Sequence, residues 1–140
     1  PSTPSFRSLR VGYGIGHPAW IAAREKIREP VTVSTAAQVA ALAALDDNEH
    51  VQRTRQHNAR GLEFFEKGLR ELGVECVPPV ANFVLVRVGD GQRVFIEMQK
   101  RGVIVRPVGG YQLPEWVRIS VGTPVENARC LAALKDVLKS

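Results

Sequence analysis

An α+β architecture, with helices covering one face of a small sheet, is the fold class that this sequence predicts. Three observations carry it. From residue 49 onward the segments read in the order helix, strand, strand, helix, strand, strand, helix. The helical segments place apolar residues at three- and four-residue spacing, whereas the strand segments are short β-branched runs. Glycine, proline or a capping side chain stands at most of the boundaries. Helices and strands in that order bury their apolar sides in two layers, around a mixed or antiparallel sheet.

The elements follow in order. Residues 1–8 are rich in Ser and Pro and read as an irregular arm. Residues 9–15 alternate larger apolar residues with Arg10, Gly12 and Gly14 and read as a short strand. Two helices separate this strand from the others, so a different sheet is expected to hold it. Pro18 opens a helix over 19–28, anchored by Trp20, Ile21 and Ile27, with Pro30 beyond its end. Ser34 and Thr35 are N-cap candidates for an Ala-rich helix over 36–45. Asp46, Asp47 and Asn48 break that helix and cap a long one over 49–72. There Leu62, Phe65, Leu69 and Leu72 recur on one face, and Gly73 supplies the stop. A strand over 74–77, the rigid Pro78-Pro79 turn and a buried strand over 81–88 come next. Asp90 and Gly91 precede a helix over 92–101, which Gly102 stops. Two β-branched strands, 103–106 and 116–121, are separated by a Gly-Gly turn and a Pro-containing loop. Thr123-Pro124-Val125-Glu126 supplies an N-cap, a Pro in the first turn and an acid, and opens a helix over 125–138.

Composition narrows the function classes. A chain of 140 residues with 44% apolar and 24% charged residues matches an ordinary globular domain with a real core. No apolar run reaches the roughly 18 residues that cross a bilayer, so no membrane role is expected. The opening Pro1-Ser2-Thr3-Pro4-Ser5 shows no secretory signal, and the absence of an initiating Met suggests a piece of a longer chain. The net charge of +5 is scattered: Arg24, Lys26 and Arg28 interleave with Glu25 and Glu29, and Arg53, Arg55, Arg60, Lys67 and Arg70 mix with Glu63, Glu66 and Glu71. Such faces are solvated helix surfaces, and with no recognition module beside them no nucleic acid is expected. Cys76 and Cys130 lack metal or redox spacing and read as free thiols of a cytoplasmic chain. His17, His50 and His57 have no metal spacing, so no metal site is expected, and the last two read as solvated.

The chemistry concentrates near the end. Val103-Ile104-Val105-Arg106 and Trp116-Val117-Arg118-Ile119 each carry an arginine on a short strand. Adjacent strands would hold the guanidinium groups side by side, and each presents a rigid fork of donors matched to carboxylate or phosphate. The competing reading makes each a strand-end arginine in a weak surface ion pair. Arg10 sits among Gly12, Gly14 and Gly16, a series better explained by close backbone approach in a strand than by a nucleotide loop. Asn82 is either a turn residue or a ligand-facing amide, and Tyr111 either covers a ligand or packs on the core. No Ser, His and Asp fall into a nucleophilic arrangement.

Five runs strongly resemble the C-terminal part of histidinol-phosphate aminotransferase. They are Leu9-Arg10-Val11-Gly12-Tyr13-Gly14, Arg28-Glu29-Pro30-Val31-Thr32-Val33-Ser34-Thr35-Ala36-Ala37-Gln38, Ala81-Asn82-Phe83-Val84-Leu85-Val86, Gly102-Val103-Ile104-Val105-Arg106-Pro107, and Val117-Arg118-Ile119-Ser120-Val121-Gly122-Thr123-Pro124-Val125-Glu126-Asn127. The resemblance spans nearly all of residues 9–138. It implies a pyridoxal-phosphate enzyme of fold type I, class I/II, that works as a homodimer. Its reaction would exchange an amino group between histidinol phosphate and 2-oxoglutarate in histidine biosynthesis. It also implies a division of the chain. Residues 1–8 are an irregular arm, 9–47 a remnant of the large cofactor-binding domain, and 48–140 the C-terminal small domain.

By this resemblance Arg10 contacts the cofactor phosphate, while Arg106 and Arg118 hold the phosphate of the substrate. One departure matters. The family's covalent lysine stands eight residues before the Arg10 position, where this chain has Ser2. The serine before it is Pro1 here and a glycine two before Arg10 is Ser8. None of Lys26, Lys67, Lys100, Lys135 or Lys139 has a matching context. Covalent attachment of pyridoxal phosphate at the family position is therefore not possible, no catalytic residue is assigned, and the fragment is expected to be inactive alone. Two alternatives stay open: a non-catalytic α+β module that binds an anion or a partner, and a related pyridoxal-phosphate decarboxylase or acyltransferase. Without its missing neighbours, the helix over 36–45 is expected to expose an apolar face.

Overall fold

The computed structural model describes residues 10–12, 15–29 and 33–139. The chain divides into two units, residues 1–51 and 52–140.

The first unit contains two helices set by their caps. Helix α1, Pro18–Glu25, begins where His17 Nδ1 accepts from the Ala19 N–H at 3.3 Å. Helix α2, Thr35–Asp46, begins where Ser34 Oγ accepts from the Ala37 N–H at 3.3 Å. Each bond satisfies an amide that a helix start leaves without an intrahelical partner. Ala37 is buried, but Val39, Leu42 and Leu45 are exposed at 63%, 67% and 68%, so α2 presents the apolar face that its sequence foreshadows. Asp47 Oδ1 then accepts from the His50 N–H at 2.9 Å and caps α3, Asn48–Glu71.

The second unit holds the sheet. Its strands are β1, Cys76–Val77; β2, Phe83–Arg87; β3, Arg106–Val108; and β4, Leu113–Ser120. The sheet is antiparallel throughout, in the order β1-β2-β4-β3. Helix α4, Gly91–Lys100, joins β2 to β3, and α5, Pro124–Lys139, follows β4. A 3-10 turn, Gly109–Tyr111, links β3 to β4 and ends on Gln112 in the left-handed region, φ +63°.

One core explains the layering. Val84 and Val86 of β2 and Val117 and Ile119 of β4 alternate onto one face of the sheet. There they meet Phe65 and Leu69 of α3, Val94 and Met98 of α4, and Leu134 and Val137 of α5. The opposite face carries Phe83, Leu85, Arg87, Trp116, Arg118 and Ser120. Helices on one face leave the other to do something else, and that division positions the candidate site.

Glycine sets the closest approaches. A Cβ at Gly61 of α3 would strike Val121 Cγ1 and crowd Asn127, and one at Gly68 would strike Leu131 Cδ2. These two glycines, seven residues apart, lie two helical turns apart on one side of α3. Gly91 has the backbone of β4 against it: a Cβ there would come within 2.5 Å of the Trp116 carbonyl oxygen.

The sequence places most elements within a few residues, and three expectations are corrected. The strand expected over 9–15 is not formed where it is described; Leu9, Tyr13 and Gly14 lie outside the described residues. Arg10 occupies a turn with φ +55°, which breaks the extended geometry, and among the described residues no strand pairs with 10–12. The strand expected over 103–106 lies instead at Arg106–Val108. Gly102, at φ +71°, turns the chain out of α4, and the N–H groups of Gly102 and Val103 bond back to Gln99 and Met98 at 2.9 and 3.0 Å. Val103 thus completes the helix end and pairing starts three residues later. Strand β4 also begins earlier than expected, because Leu113 pairs with Val108 across the irregularity after Pro107.

Candidate anion-binding site

Arg106 and Arg118 are direct cross-strand partners on β3 and β4. Directly opposed residues share a face, so both side chains stand on the side of the sheet away from the helices. Leu85 of β2 completes the row, as the partner of Arg118 on its other side.

The side-chain contacts of the two arginines are with aromatic rings. Arg118 Cζ lies 5.2 Å from the centroid of the Phe83 ring. Phe83 pairs with Ser120, so the arginine leans diagonally across to the neighbouring strand. Arg106 Cζ lies 6.0 Å from the Tyr111 ring, and its Nη2 approaches the Tyr111 hydroxyl at 3.5 Å. Among the described residues neither arginine forms an ion pair. Arg118 Nε is buried and has no acceptor among the described residues. A buried charged donor left without an acceptor costs free energy that an incoming anion recovers.

Arg87 provides the contrast on the same face. Its Nη2 and Nε donate to Glu115 Oε2 at 2.8 and 3.1 Å, and its Nη1 reaches Glu75 at 3.3 Å. The hydrogen bonds that it donates to Glu115, then to Glu75, raise its pKa further. The surface ion pair that was the competing reading for Arg106 and Arg118 describes Arg87 instead.

Both arginines also border a cleft of about 530 Å³ beside the 102–106 segment, the end of β4 and the start of α5. The rim of this cleft is firmly built. Asn127, 4% exposed, accepts the Gly122 N–H at 2.8 Å and donates to the Gly122 carbonyl at 3.2 Å. His57 Nε2 of α3 reaches the same carbonyl at 2.8 Å. Glu126 Oε2 accepts from the Thr123 N–H at 2.7 Å and its hydroxyl at 2.8 Å, while Thr123 Oγ1 takes the Glu126 N–H at 3.3 Å. This is the reciprocal cap that Thr123 and Glu126 foreshadow. The bonds from Thr123 hold the Glu126 carboxyl below its usual pKa. Arg129 donates to the Arg101 carbonyl at 3.1 Å from the other side.

The remaining candidates divide. Arg10 is exposed and belongs to the first unit, whereas Arg106 and Arg118 belong to the second. Ser2 and Ser8 lie outside the described residues. Asn82 is an exposed bend residue whose carbonyl accepts the Val121 N–H at 2.9 Å. Tyr111 is 66% exposed and touches Arg106, so it is not a core residue. His57 is bonded and not merely solvated, because the turn after β4 approaches α3 closely. Cys76 and Cys130 are both free, and burial pushes the Cys130 thiol up to about 11. Sequence reasoning missed Phe83, Asn127 and Arg129 at this site. Only the alternation of β2 hinted that Phe83 faces away from the core, and the pairing that sets it beside Arg118 has no local signature.

Residues 5–134 match the family described as aminotransferase class I and II, and the chain belongs to it. Within that family it is 54% identical over 130 residues to the histidinol-phosphate aminotransferase of Akkermansia muciniphila, covering 93% of this chain and 36% of the relative. It is 51% identical over 134 residues to histidinol-phosphate aminotransferase 2 of Ralstonia nicotianae, again 93% of this chain and 36% of the relative. Among solved structures, the putative histidinol-phosphate aminotransferase of Erwinia carotovora atroseptica aligns with TM-score 0.85 and 26% identity, over 95% of this chain and 38% of that one. The Sinorhizobium meliloti histidinol-phosphate aminotransferase in complex with pyridoxal-5'-phosphate aligns with TM-score 0.77 and 26% identity, over 87% and 34%. The chain thus spans little more than a third of the length of these relatives.

Proposed function

We propose that this chain is the C-terminal part of an aminotransferase that acts on histidinol phosphate, and that Arg106 and Arg118 grip the phosphate of that substrate. The observation that carries the reading is the cross-strand arginine pair, which among the described residues has no acid partner and leaves a buried Nε on Arg118 without an acceptor. Forked donors of this kind suit a tetrahedral oxyanion, which can accept from both arginines at once. In the complete enzyme, a homodimer of the cytoplasm, Arg10 contacts the phosphate of pyridoxal phosphate. That cofactor, when bound, supplies the electron sink for exchange of an amino group with 2-oxoglutarate. Residues 9–47 are the end of the large domain and 48–140 the small domain, and the apolar face of α2 belongs against the rest of the large domain.

The chain's own residues bind and orient; none of them is assigned the nucleophilic role, because Ser2 stands at the position of the covalent lysine. The 140-residue chain therefore binds the phosphate end of the substrate without turning it over. Two charge-assisted contacts of about 1.5–3 kcal/mol each place the dissociation constant on the order of 1 mM or somewhat below. The test is a titration of the whole chain with histidinol phosphate and with histidinol, followed by amide resonances or calorimetry. Binding of the phosphate ester alone, weakened in Arg118→Lys, is the expected result. Equal affinity for both compounds, or for both forms of the protein, would overturn the assignment.

A further inference from the structure

We infer that Phe83 is the positioning residue for Arg118: its ring face holds the guanidinium in place and thereby sets the affinity and selectivity of the anion site. The inference deepens the reading of Arg106 and Arg118 as a phosphate clamp and rests on it.

The argument starts from a problem that the sheet creates. Two like charges stand directly opposite one another on β3 and β4, an arrangement that is unfavourable in a cross-strand pair. Elsewhere on this face a single guanidinium is fixed by carboxylates: Arg87 is held by Glu115 and Glu75. A carboxylate beside Arg118 would neutralise it and occupy the fork that a ligand needs. Phe83 avoids both consequences. An aromatic face attracts a guanidinium through its quadrupole, uses none of its N–H edges and leaves the positive charge intact.

The geometry fits that role. The Arg118 Cζ to ring-centroid distance of 5.2 Å is well inside the range of the interaction, whereas the 6.0 Å contact of Arg106 with Tyr111 is at its limit. The backbone around Phe83 is fixed from both sides: β2 is an interior strand, and the preceding Asn82 carbonyl accepts the Val121 N–H at 2.9 Å. The ring is half-buried, so the contact is partly screened from water, and Arg118 Nε is itself buried. Arg106, by comparison, is exposed. The pair is thus asymmetric: Arg118 is a half-buried, pre-placed fork and Arg106 an exposed second charge.

A site organised this way favours a ligand that meets a fixed fork with several oxygens, a phosphate ester over a simple carboxylate. Removing the ring lets the Arg118 side chain move, and the loss falls more heavily on the ligand that needs both arginines in register.

The experiment titrates the whole chain with histidinol phosphate, inorganic phosphate and acetate, in the wild type and in Phe83→Leu, Phe83→Tyr and Phe83→Trp, with the Arg118 Nε–H resonance as a second readout. A cation–π contact at a half-buried site corresponds to a loss of about 3- to 30-fold in phosphate affinity for Phe83→Leu. Acetate binding changes less, and the Arg118 Nε–H signal moves downfield as the ring current is lost. The aromatic variants, which keep the ring face, stay within about 3-fold of wild type on the same scale. Thermal melts of each variant separate a binding loss from a folding loss. Wild-type affinity in Phe83→Leu overturns the inference, as does an equal loss in the Leu, Tyr and Trp variants, since packing rather than the ring face would then be responsible. If the wild type itself binds no phosphate ligand, the clamp reading falls and this inference with it. If the wild type binds and only the Phe83 series is flat, the clamp stands and this inference alone fails.

Discussion

His57 Nε2 on α3 lies 2.8 Å from the carbonyl oxygen of Gly122, the residue that ends the run from Arg118 to α5. Gly61, one helical turn further along α3, has no room for a side chain against Val121 and Asn127. Helix α3 therefore reads the shape of the β4–α5 junction at two successive points, once by a hydrogen bond and once by van der Waals contact.

Adding a methyl group along this seam is predicted to be costly. Gly61→Ala and Gly68→Ala each force side chains of the facing elements to shift, with an expected destabilisation of about 1–3 kcal/mol. Gly110→Ala meets nothing within 4 Å and serves as the control, at no more than about 0.5 kcal/mol. Chemical denaturation of the three variants checks the order.

Asn127 answers both the N–H and the carbonyl of Gly122 from a buried position. Asn127→Ala leaves that N–H without its acceptor and is expected to cost about 1–3 kcal/mol. The Gly122 amide should also lose protection from hydrogen exchange, which measures the same bond directly. Unchanged exchange at Gly122 would remove the basis for this prediction.

The cap at Thr123 carries a pH signature. Glu126 has a lowered pKa in the folded chain, chiefly because the Thr123 N–H and hydroxyl donate to its carboxylate. A depressed carboxyl contributes stability that is present above its unfolded pKa, near 4.5, and is lost as pH falls through the lower folded value. The stability difference between wild type and Glu126→Gln is therefore largest near neutrality and shrinks in acid. Denaturation curves from pH 7 downward follow it, and a difference that grows in acid would contradict the cap.

Thiol chemistry separates the two cysteines. Cys130 is buried with its pKa raised to about 11, whereas Cys76 is half-buried on the edge strand β1. Alkylation of the native chain near pH 8 should label Cys76 first, since the thiolate is the reactive form and Cys130 supplies almost none. Peptide mapping that finds Cys130 labelled at the same rate would count against its burial.

Arg87 provides a test of charge against position. It shares the sheet face with Arg118 but is held by Glu115 and Glu75. Arg87→Met is expected to leave histidinol phosphate affinity within about 2-fold, while Arg118→Met lowers it by 10-fold or more, about the worth of one charge-assisted contact. Equal losses would mean that the site senses only net charge.

What the sequence revealed follows from where its signals are local. Ser34, Asp90 and Thr123 each announced a helix start, and each accepts a backbone N–H there. Gly73 and Gly102 announced the ends of α3 and α4 and take φ +69° and +71°. The two β-branched runs proposed the arginine pair, and the resemblance then named the family. The strand position of Val103-Ile104-Val105 was misjudged because β-branched composition is a local property, whereas pairing is decided by a partner. Phe83 beside Arg118 depends on the register of β2 against β4, and His57 at Gly122 joins residues 65 apart in sequence. No window of neighbouring residues contains either fact.

Pro107 has one more effect. It sits in β3, at one end of the sheet, and has no N–H to offer a further strand. β3 is only three residues long and loses its regular register directly after the proline. The other end, β1, is two residues long. Both borders of the sheet are therefore poor templates for an incoming chain. A unit that displays apolar and aromatic side chains on one sheet face is in this way guarded against stacking edge to edge into fibrils, and the residue that guards it stands beside the arginine it helps to present.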